Sequence, residues 1–339
     1  MAASDGFDRI FIIGAGAWGT ALAQTLARVG REVVLWAHDP ATAAAINRDR
    51  ANAAFLPGLA LAAGIRATAA LDEAAAADLL LFAPPAQHLR ELAAALAPSP
   101  ASCLPAVVCS KGIEIESGAL LSEVLAETLP AAPLAVLSGP TFAAEVARGL
   151  PTAVTLACRD AALGQRLVTA LGSRTFRPYL AADPVGAEIG GAVKNVLAIA
   201  CGIVLGRGLG ENARASLITR GLAEMVRLAV AKGGRPATLM GLSGLGDLTL
   251  TCTSAQSRNF SLGLALGEGR ALDAVLAGRR SVAEGVTSAP AAVALARRLG
   301  IEMPIAVAVD SILHHGAAID AVVAALLARP FRSENAIPP

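Results

Sequence analysis

The chain has 339 residues, 55 % of them hydrophobic and 16 % charged, with 28 Lys plus Arg against 27 Asp plus Glu. At roughly 150 residues per domain this length suggests about two domains, and the apolar content supplies large cores and excludes disorder as the main state. A net charge of +1 argues against a broad basic face for nucleic acid and against a polybasic membrane anchor.

Taken in chain order, short β-rich runs alternate with Ala/Leu-rich helical stretches. Strands are predicted at Arg9–Ile13, Glu32–Trp36, Leu79–Phe82, Ala106–Ser110, Leu134–Ser138, Ala153–Ala157 and Thr175–Tyr179. Helices are predicted at Gly19–Val29, Pro40–Arg48, Gln87–Leu96, Gly118–Thr128 and Thr141–Arg148. Continuous apolar strands alternating with helices mean a parallel sheet covered on both faces. After Asp183-Pro184 strand-like runs almost vanish. Glu188–Ile203, Ala213–Lys232, Thr238–Met240, Arg258–Leu266, Ala271–Ala277, Ser288–Leu299 and Ala317–Leu327 all read as helices, punctuated by Gly and Pro. The expected fold class is α/β: an N-terminal doubly wound, Rossmann-type, mostly parallel sheet over residues 1–185, then an all-helical domain over 186–332. Residues 333–339, within the polar, Pro-ended stretch Arg332–Pro339, are expected to fray.

A mean hydropathy of +0.58 invites a membrane reading, which the residues resist. A spanning helix needs roughly 20 apolar residues with few charges or breaks. The best window, Ile189 to Gly206, holds Lys194, Asn195 and four glycines, so no integral membrane segment is expected. Met1–Asp8 lacks the basic start and cleavage site of a secretory signal. The five cysteines (Cys103, Cys109, Cys158, Cys201, Cys252) are odd in number, far apart in sequence and free of C-x-x-C. That pattern suits reduced, buried thiols and a cytoplasmic location, and no metal site. The histidines His38, His88, His314 and His315 show no ligand spacing.

Two constellations carry chemistry. Ile10–Ile13 runs into Gly14-Ala15-Gly16-Ala17-Trp18-Gly19 and then a helix. This is G-x-G-x-x-G in its required context: Gly14 permits the turn, Gly16 lets a pyrophosphate approach, and Gly19 lets helix pack on strand. The plainer alternative is a Gly-rich turn with no ligand. An NAD-selective acid is expected at the end of the second strand; there the chain has Ala37, then His38 and Asp39. A small residue beside a cation favours NADP, with NAD held open through Asp39, and with His38 as a plain solvated residue the alternative.

The second constellation is Lys111, Lys194, Asp247, Arg258 and Asn259. Ser110-Lys111-Gly112 and Leu137–Phe142 each place polar residues after a strand, at the ligand crevice of a doubly wound sheet or simply in a turn. Lys194 is surrounded by apolar residues on its helix, which lowers an ammonium pKa and suits a general acid or base; a snorkelling structural lysine is the alternative. Gly190 and Gly191 weaken that helix, which suggests close approach of a backbone or ligand. Asp247 adds a carboxylate or a cap. Ser257-Arg258-Asn259 opens a helix as a phosphate site would.

Gly14–Leu22, Ser110-Lys111-Gly112, Leu137–Ala143, Glu188–Ile199, Asn212–Met225, Gly241–Leu248, Thr251–Asn259 and Glu284-Gly285-Val286 together resemble bacterial NAD(P)-dependent glycerol-3-phosphate dehydrogenase. The matches run in order from residue 10 to about 290. The resemblance implies reversible reduction of dihydroxyacetone phosphate to sn-glycerol 3-phosphate, the backbone precursor of phospholipids, by a homodimer. It implies Lys194 as the catalytic lysine. It places Lys111, Gly139, Thr141, Asp247, Ser257, Arg258 and Asn259 at the phosphate-bearing substrate. It places Ala17, Trp18, His38, Lys111, Ala143, Arg258, Val282 and Glu284 at the cofactor, beside the glycines of the turn. Thr141 stands where Ser is usual, Leu81-Phe82-Ala83-Pro84-Pro85 departs from the usual run, and His38-Asp39 replaces Arg-Asn or Arg-Asp. Two rivals remain: a dehydrogenase of a β-hydroxy acid, since Arg binds carboxylate as well as phosphate, and a silent dinucleotide sensor, which would not need Lys194, Asp247 and Arg258 together.

Overall fold

The computed structural model describes residues 6–277 and 283–331. Val282 and Arg332–Pro339 lie outside the described residues. The nucleotide half runs β1 (Arg9–Ile13), α1 (Ala17–Arg28), β2 (Glu32–Trp36), α2 (Pro40–Asp49), β3 (Ile65–Thr68), β4 (Leu79–Phe82), α3 (Leu89–Leu96), β5 (Ala106–Val108), α4 (Leu121–Thr128), β6 (Leu134–Ser138), α5 (Ala143–Arg148), β7 (Thr152–Cys158), α6 (Ala161–Leu171) and β8 (Phe176–Ala181). The strands form one sheet in the order β3-β2-β1-β4-β5-β6-β7-β8. All neighbours are parallel except β6 and β7. The order reverses between β1 and β4, where a doubly wound sheet opens its ligand crevice.

Alternation fixes the two faces. Ile10 and Ile12 pack in one core, and Phe11 and Ile13 in the other, because successive side chains of a strand point to opposite sides. Helices cover both, so β4 is buried along its whole length. Pro178 lies inside β8, which is tolerated because β8 is an edge strand.

The helical half runs α7 (Pro184–Gly206), α8 (Glu211–Ala231), α9 (Pro236–Leu239), a π-helical turn at Leu242–Gly246, α10 (Asp247–Thr253), α11 (Arg258–Gly267), α12 (Leu272–Ala277), α13 (Glu284–Arg298), α14 (Pro304–His314) and α15 (Ile319–Leu327). Its axis is α7, which is apolar all round and buried along nearly its whole length, as a helix surrounded by others must be. By length and composition α7 could cross a membrane, yet 89 % of its apolar window is buried in the fold. The glycines of α7 and α11 bring the two helices into backbone contact. A Cβ on Gly202 would lie 2.1 Å from Phe260 O, and one on Gly263 2.0 Å from Ile199 O. The two backbones touch where side chains would hold them apart.

Several expectations shift. The third strand Ile65–Thr68, α6, α10 and α14 are additions to the predicted elements. The strand expected to reach Ser110 ends at Val108, because the Cys109 and Ser110 amides both turn onto Phe82 O. Helix α1 begins at Ala17 and not Gly19, with Gly16 as its N-cap. Cys103 is exposed and corrects the expectation of five buried thiols; the other four are buried.

Candidate active site

The glycine turn follows β1. Gly14 has φ +115°, and a Cβ there would meet Ala83 backbone at 2.8 Å. A Cβ on Gly19 would lie 1.9 Å from Gly14 O, whereas one on Gly16 would meet nothing within 4 Å. The first and third glycines are therefore required by packing, and the second faces open space at the N-terminus of α1. Amides there attract a diphosphate, and α1 has no acidic residue in its first turn. These residues fit a bound dinucleotide. Trp18 is tied across the crevice by Nε1–H donated to Cys109 O at 3.1 Å.

At the end of β2, His38 is exposed and stands edge-on to Trp36, centroids 6.0 Å apart. Both oxygens of Asp39 accept from the start of α2: Ala41 N at 3.0 Å, Thr42 N at 3.1 Å and Thr42 Oγ1 at 2.7 Å. These bonds, the Thr42 hydroxyl first, hold the Asp39 carboxyl below its usual range. As the helix cap, this carboxylate is turned to α2.

Three members of the second constellation, Lys111, Lys194 and Asp247, meet at the seam between the halves. Lys194, on α7, donates to Asp247 Oδ1 at 2.5 Å and to Thr251 Oγ1 at 2.9 Å. Lys111, just past β5, donates to Asp247 Oδ2 at 2.6 Å and to Gly139 O at 3.0 Å. One fully buried carboxylate thus holds two ammonium groups (Asp247 is 0 % exposed, Lys194 6 %). Burial pushes Lys194 down to about 8; Asp247 opposes that shift, and Lys111 adds to it. A lysine poised near neutrality can give or take a proton.

Small residues make this approach possible. A Cβ on Gly191 would lie 2.8 Å from Ser138 Oγ and 3.3 Å from Lys111 Cγ, and one on Gly190 2.2 Å from Ser243 O. The close backbone approach expected at these glycines is present at Gly190, against the π-helical turn; at Gly191 the neighbours are the side chains of Ser138 and Lys111 instead. That turn delivers Asp247 as the first residue of α10; π-turns are frequent at functional sites.

Arg258 opens α11 and is exposed. The Ser257 hydroxyl caps the helix by accepting from Phe260 N at 3.2 Å. The Asn259 side chain faces inward, donating to Asn195 Oδ1 at 2.9 Å and accepting from Gly285 N at 3.0 Å. It joins α7, α11 and α13. Glu284, at the start of α13, is pushed up to about 7 by burial, with Arg258 opposing. Thr141 Oγ1 donates to Gly139 O at 3.2 Å, and Ala143 begins α5. Val282 lies outside the described residues.

Sequence reasoning missed Thr251 and Asn195. Thr251 follows Asp247 by four residues, one helical turn, and that spacing was the available signal.

Comparison with known proteins decides the family. Models of the N-terminal and C-terminal domains of NAD-dependent glycerol-3-phosphate dehydrogenase match residues 9–164 and 183–324. The chain belongs to the NAD-dependent glycerol-3-phosphate dehydrogenase family. It is 60 % identical over 329 residues to a glycerol-3-phosphate dehydrogenase [NAD(P)+] of Parvibaculum lavamentivorans, covering 97 % of this chain and 99 % of that one. A similarly named protein of Caulobacter vibrioides is also 60 % identical, with the same coverage. The crystal structure of the glycerol-3-phosphate dehydrogenase of Coxiella burnetii superposes with a TM-score of 0.92 at 40 % identity, over 95 % of this chain and 99 % of that one. As a member of this family the chain is an oxidoreductase that uses NAD or NADP.

Proposed function

We propose that the protein reversibly reduces dihydroxyacetone phosphate to sn-glycerol 3-phosphate, supplying the phospholipid backbone, and that Lys194 is its proton donor. The observation that carries this reading is the buried Lys194–Asp247–Lys111 cluster at the carboxyl edge of the sheet, beside a glycine turn open to a dinucleotide. Residues 1–185 bind the dinucleotide, and residues 186–332 close the crevice and supply the acid.

When bound, the reduced nicotinamide supplies the hydride that the carbonyl carbon accepts. The chain supplies the rest. Arg258 and the amides opening α11 hold the substrate phosphate, with Ser257 and Asn259 keeping that helix start in place. This remote anchor fixes the ketone's orientation. Lys194, as ammonium, stabilises the developing alkoxide and gives it a proton; in the oxidative direction the neutral amine takes it back. Asp247 orients Lys194 and favours its charged form. Lys111, held by Gly139 O, reaches the substrate carbonyl or hydroxyl near Gly139 and Thr141. Gly14, Gly16 and Gly19, with Ala17, Trp18, His38, Ala143 and Glu284, would hold the dinucleotide.

NADP is the favoured cofactor. With Asp39 capping α2, no acid from this turn is directed at the ribose, and His38 is exposed beside it. The protein acts in the cytoplasm as a homodimer, on a small phosphate ester and not on nucleic acid.

The test follows nicotinamide absorbance with dihydroxyacetone phosphate, offering NADPH and NADH in parallel. Oxidation is expected with dihydroxyacetone phosphate and not with dihydroxyacetone, faster with NADPH. Binding of both dinucleotides without oxidation of either overturns the substrate assignment.

A further inference from the structure

The segment between Asp49 and Ile65 spans 15 residues without a helix or strand of its own. Connections of that length are uncommon in compact domains and usually functional. This one is closely stitched. Arg50 takes a left-handed conformation, φ 49°, and donates to Ile65 O at 2.8 Å and to Ala62 O. Gln24 of α1 accepts from Ala62 N at 2.8 Å. The stitching carries Asn52, only 2 % exposed, beneath the glycine turn. There Asn52 Nδ2 donates to Ala15 O at 2.9 Å and to Thr20 Oγ1 at 2.8 Å.

We propose that Asn52 is a positioning residue of the dinucleotide turn, fixing the Ala15–Gly16 peptide so that its N–H faces the diphosphate. The inference rests on the reading that the Gly14–Gly19 turn carries the dinucleotide. Ala15 O can only accept, so the amide nitrogen of Asn52 must be the group that meets it. The carbonyl and N–H of a trans peptide point in opposite directions, and this peptide is trans. With Ala15 O drawn inward, the Gly16 N–H is turned outward, at the residue whose Cβ position is open. Gly16, on one side of this peptide, has no Cβ to resist its turning over. Were it to flip, a carbonyl oxygen would face the diphosphate in place of a donor. Asn52 sets the peptide's direction without touching the ligand.

The test uses the full chain and measures binding of NADPH, NADH, ADP and adenosine, with kcat and both KM values. Asn52→Asp keeps the shape but sets an acceptor against Ala15 O. Ala15 O then keeps only the longer bond from the Thr20 hydroxyl, at 3.5 Å, and an acceptor set against it predicts a rise in Kd on the order of 10- to 100-fold. The factor is the same for NADPH, NADH and ADP, which share the diphosphate. Adenosine, which lacks it, keeps its affinity; kcat and the KM for dihydroxyacetone phosphate stay within about twofold. Asn52→Ser, neutral and too short to reach Ala15 O, carries the same expectation should the first variant not fold. ADP affinity unchanged, or adenosine weakened as much as ADP, overturns the proposal. Gly16→Val separates the two readings. If it too leaves ADP binding intact, the turn is not the dinucleotide site; if it abolishes binding while both Asn52 variants keep it, only the role of Asn52 falls.

Discussion

Lys194 and Lys111 reach one carboxylate from opposite sides, and this sharing sets the chemistry of both. Removing Lys194 removes the proton donor. Lys194→Ala is expected to lower kcat by about 10²–10⁴-fold while dinucleotide binding persists; turnover near the wild-type rate sinks the assignment. The pH profile tests Asp247 separately. Ketone reduction needs the ammonium form, so its rate falls as pH rises through the Lys194 pKa, about 8 in the resting protein. Asp247→Asn removes the group that opposes the downward shift and leaves Lys111 in place. The basic limb of the kcat profile is therefore expected to move to lower pH; a limb that stays put or moves up refutes this role for Asp247. At this scale much of the site was legible in the sequence, because Lys194 inside an apolar helix and Arg258 at a helix start declare themselves locally. Thr251 and Asn195 were not, since their importance comes from facing Lys194 and Asn259 across helices, which no single segment shows.

The helices of the second half are held by what their glycines leave out. Gly202 and Gly206 of α7 meet Gly263 and Gly267 of α11 at separations that exclude a Cβ. Helix propensity alone predicts that Gly202→Ala stabilises, by about 0.5–1 kcal/mol. The contact at 2.1 Å to Phe260 O predicts the opposite, since backbone cannot yield as a flexible side chain can. Overpacking costs about 1–3 kcal/mol, so Tm is expected to fall by about 1–4 °C for a chain of this length; a rise in Tm refutes backbone contact between these helices. The same pair shows why some elements were harder to read. Continuous apolar runs gave β1, β2, β4 and β6 to the residue. β3 is four residues with an arginine among them, too short for a period to register, and the loop before it has no pattern at all. The π-helical turn at Leu242–Gly246 is glycine-rich and reads as a break, yet it is what aims Asp247.

At the scale of the molecule, the two halves are joined through further polar contacts as well as through Lys111 and Asp247. Glu188 of α7 is buried and accepts from Ser122 N of α4 at 2.8 Å and from the Ser122 hydroxyl. Lys232, just past α8, pairs with Glu123 of α4 at 2.8 Å. Burial pushes the Glu188 carboxyl up to about 7; the Ser122 bonds oppose this and Glu123 adds to it. Between its ordinary value of 4.5 and about 7, the folded protein therefore binds more protons here than the unfolded chain. Stability from this group is fully present below pH 4.5 and is lost as pH rises toward 7. Glu224, whose carboxylate accepts from the start of α14, and Glu284 are raised to about 7 as well, each chiefly by burial, so they act in the same window. Glu73 and Glu114, lowered chiefly by Arg66 and Arg90 respectively, work the other way: their stability is lost as pH falls below the usual glutamate range. The two sets occupy different windows and can be measured apart. Urea unfolding at intervals from pH 4.5 to 8 is expected to give a falling midpoint for the wild type. Glu188→Gln, which keeps the hydrogen-bonding shape without a titrating proton, flattens that fall while leaving the loss at lower pH intact. A slope identical in wild type and variant means that Glu188 titrates normally and that the contact between α4 and α7 is open to water.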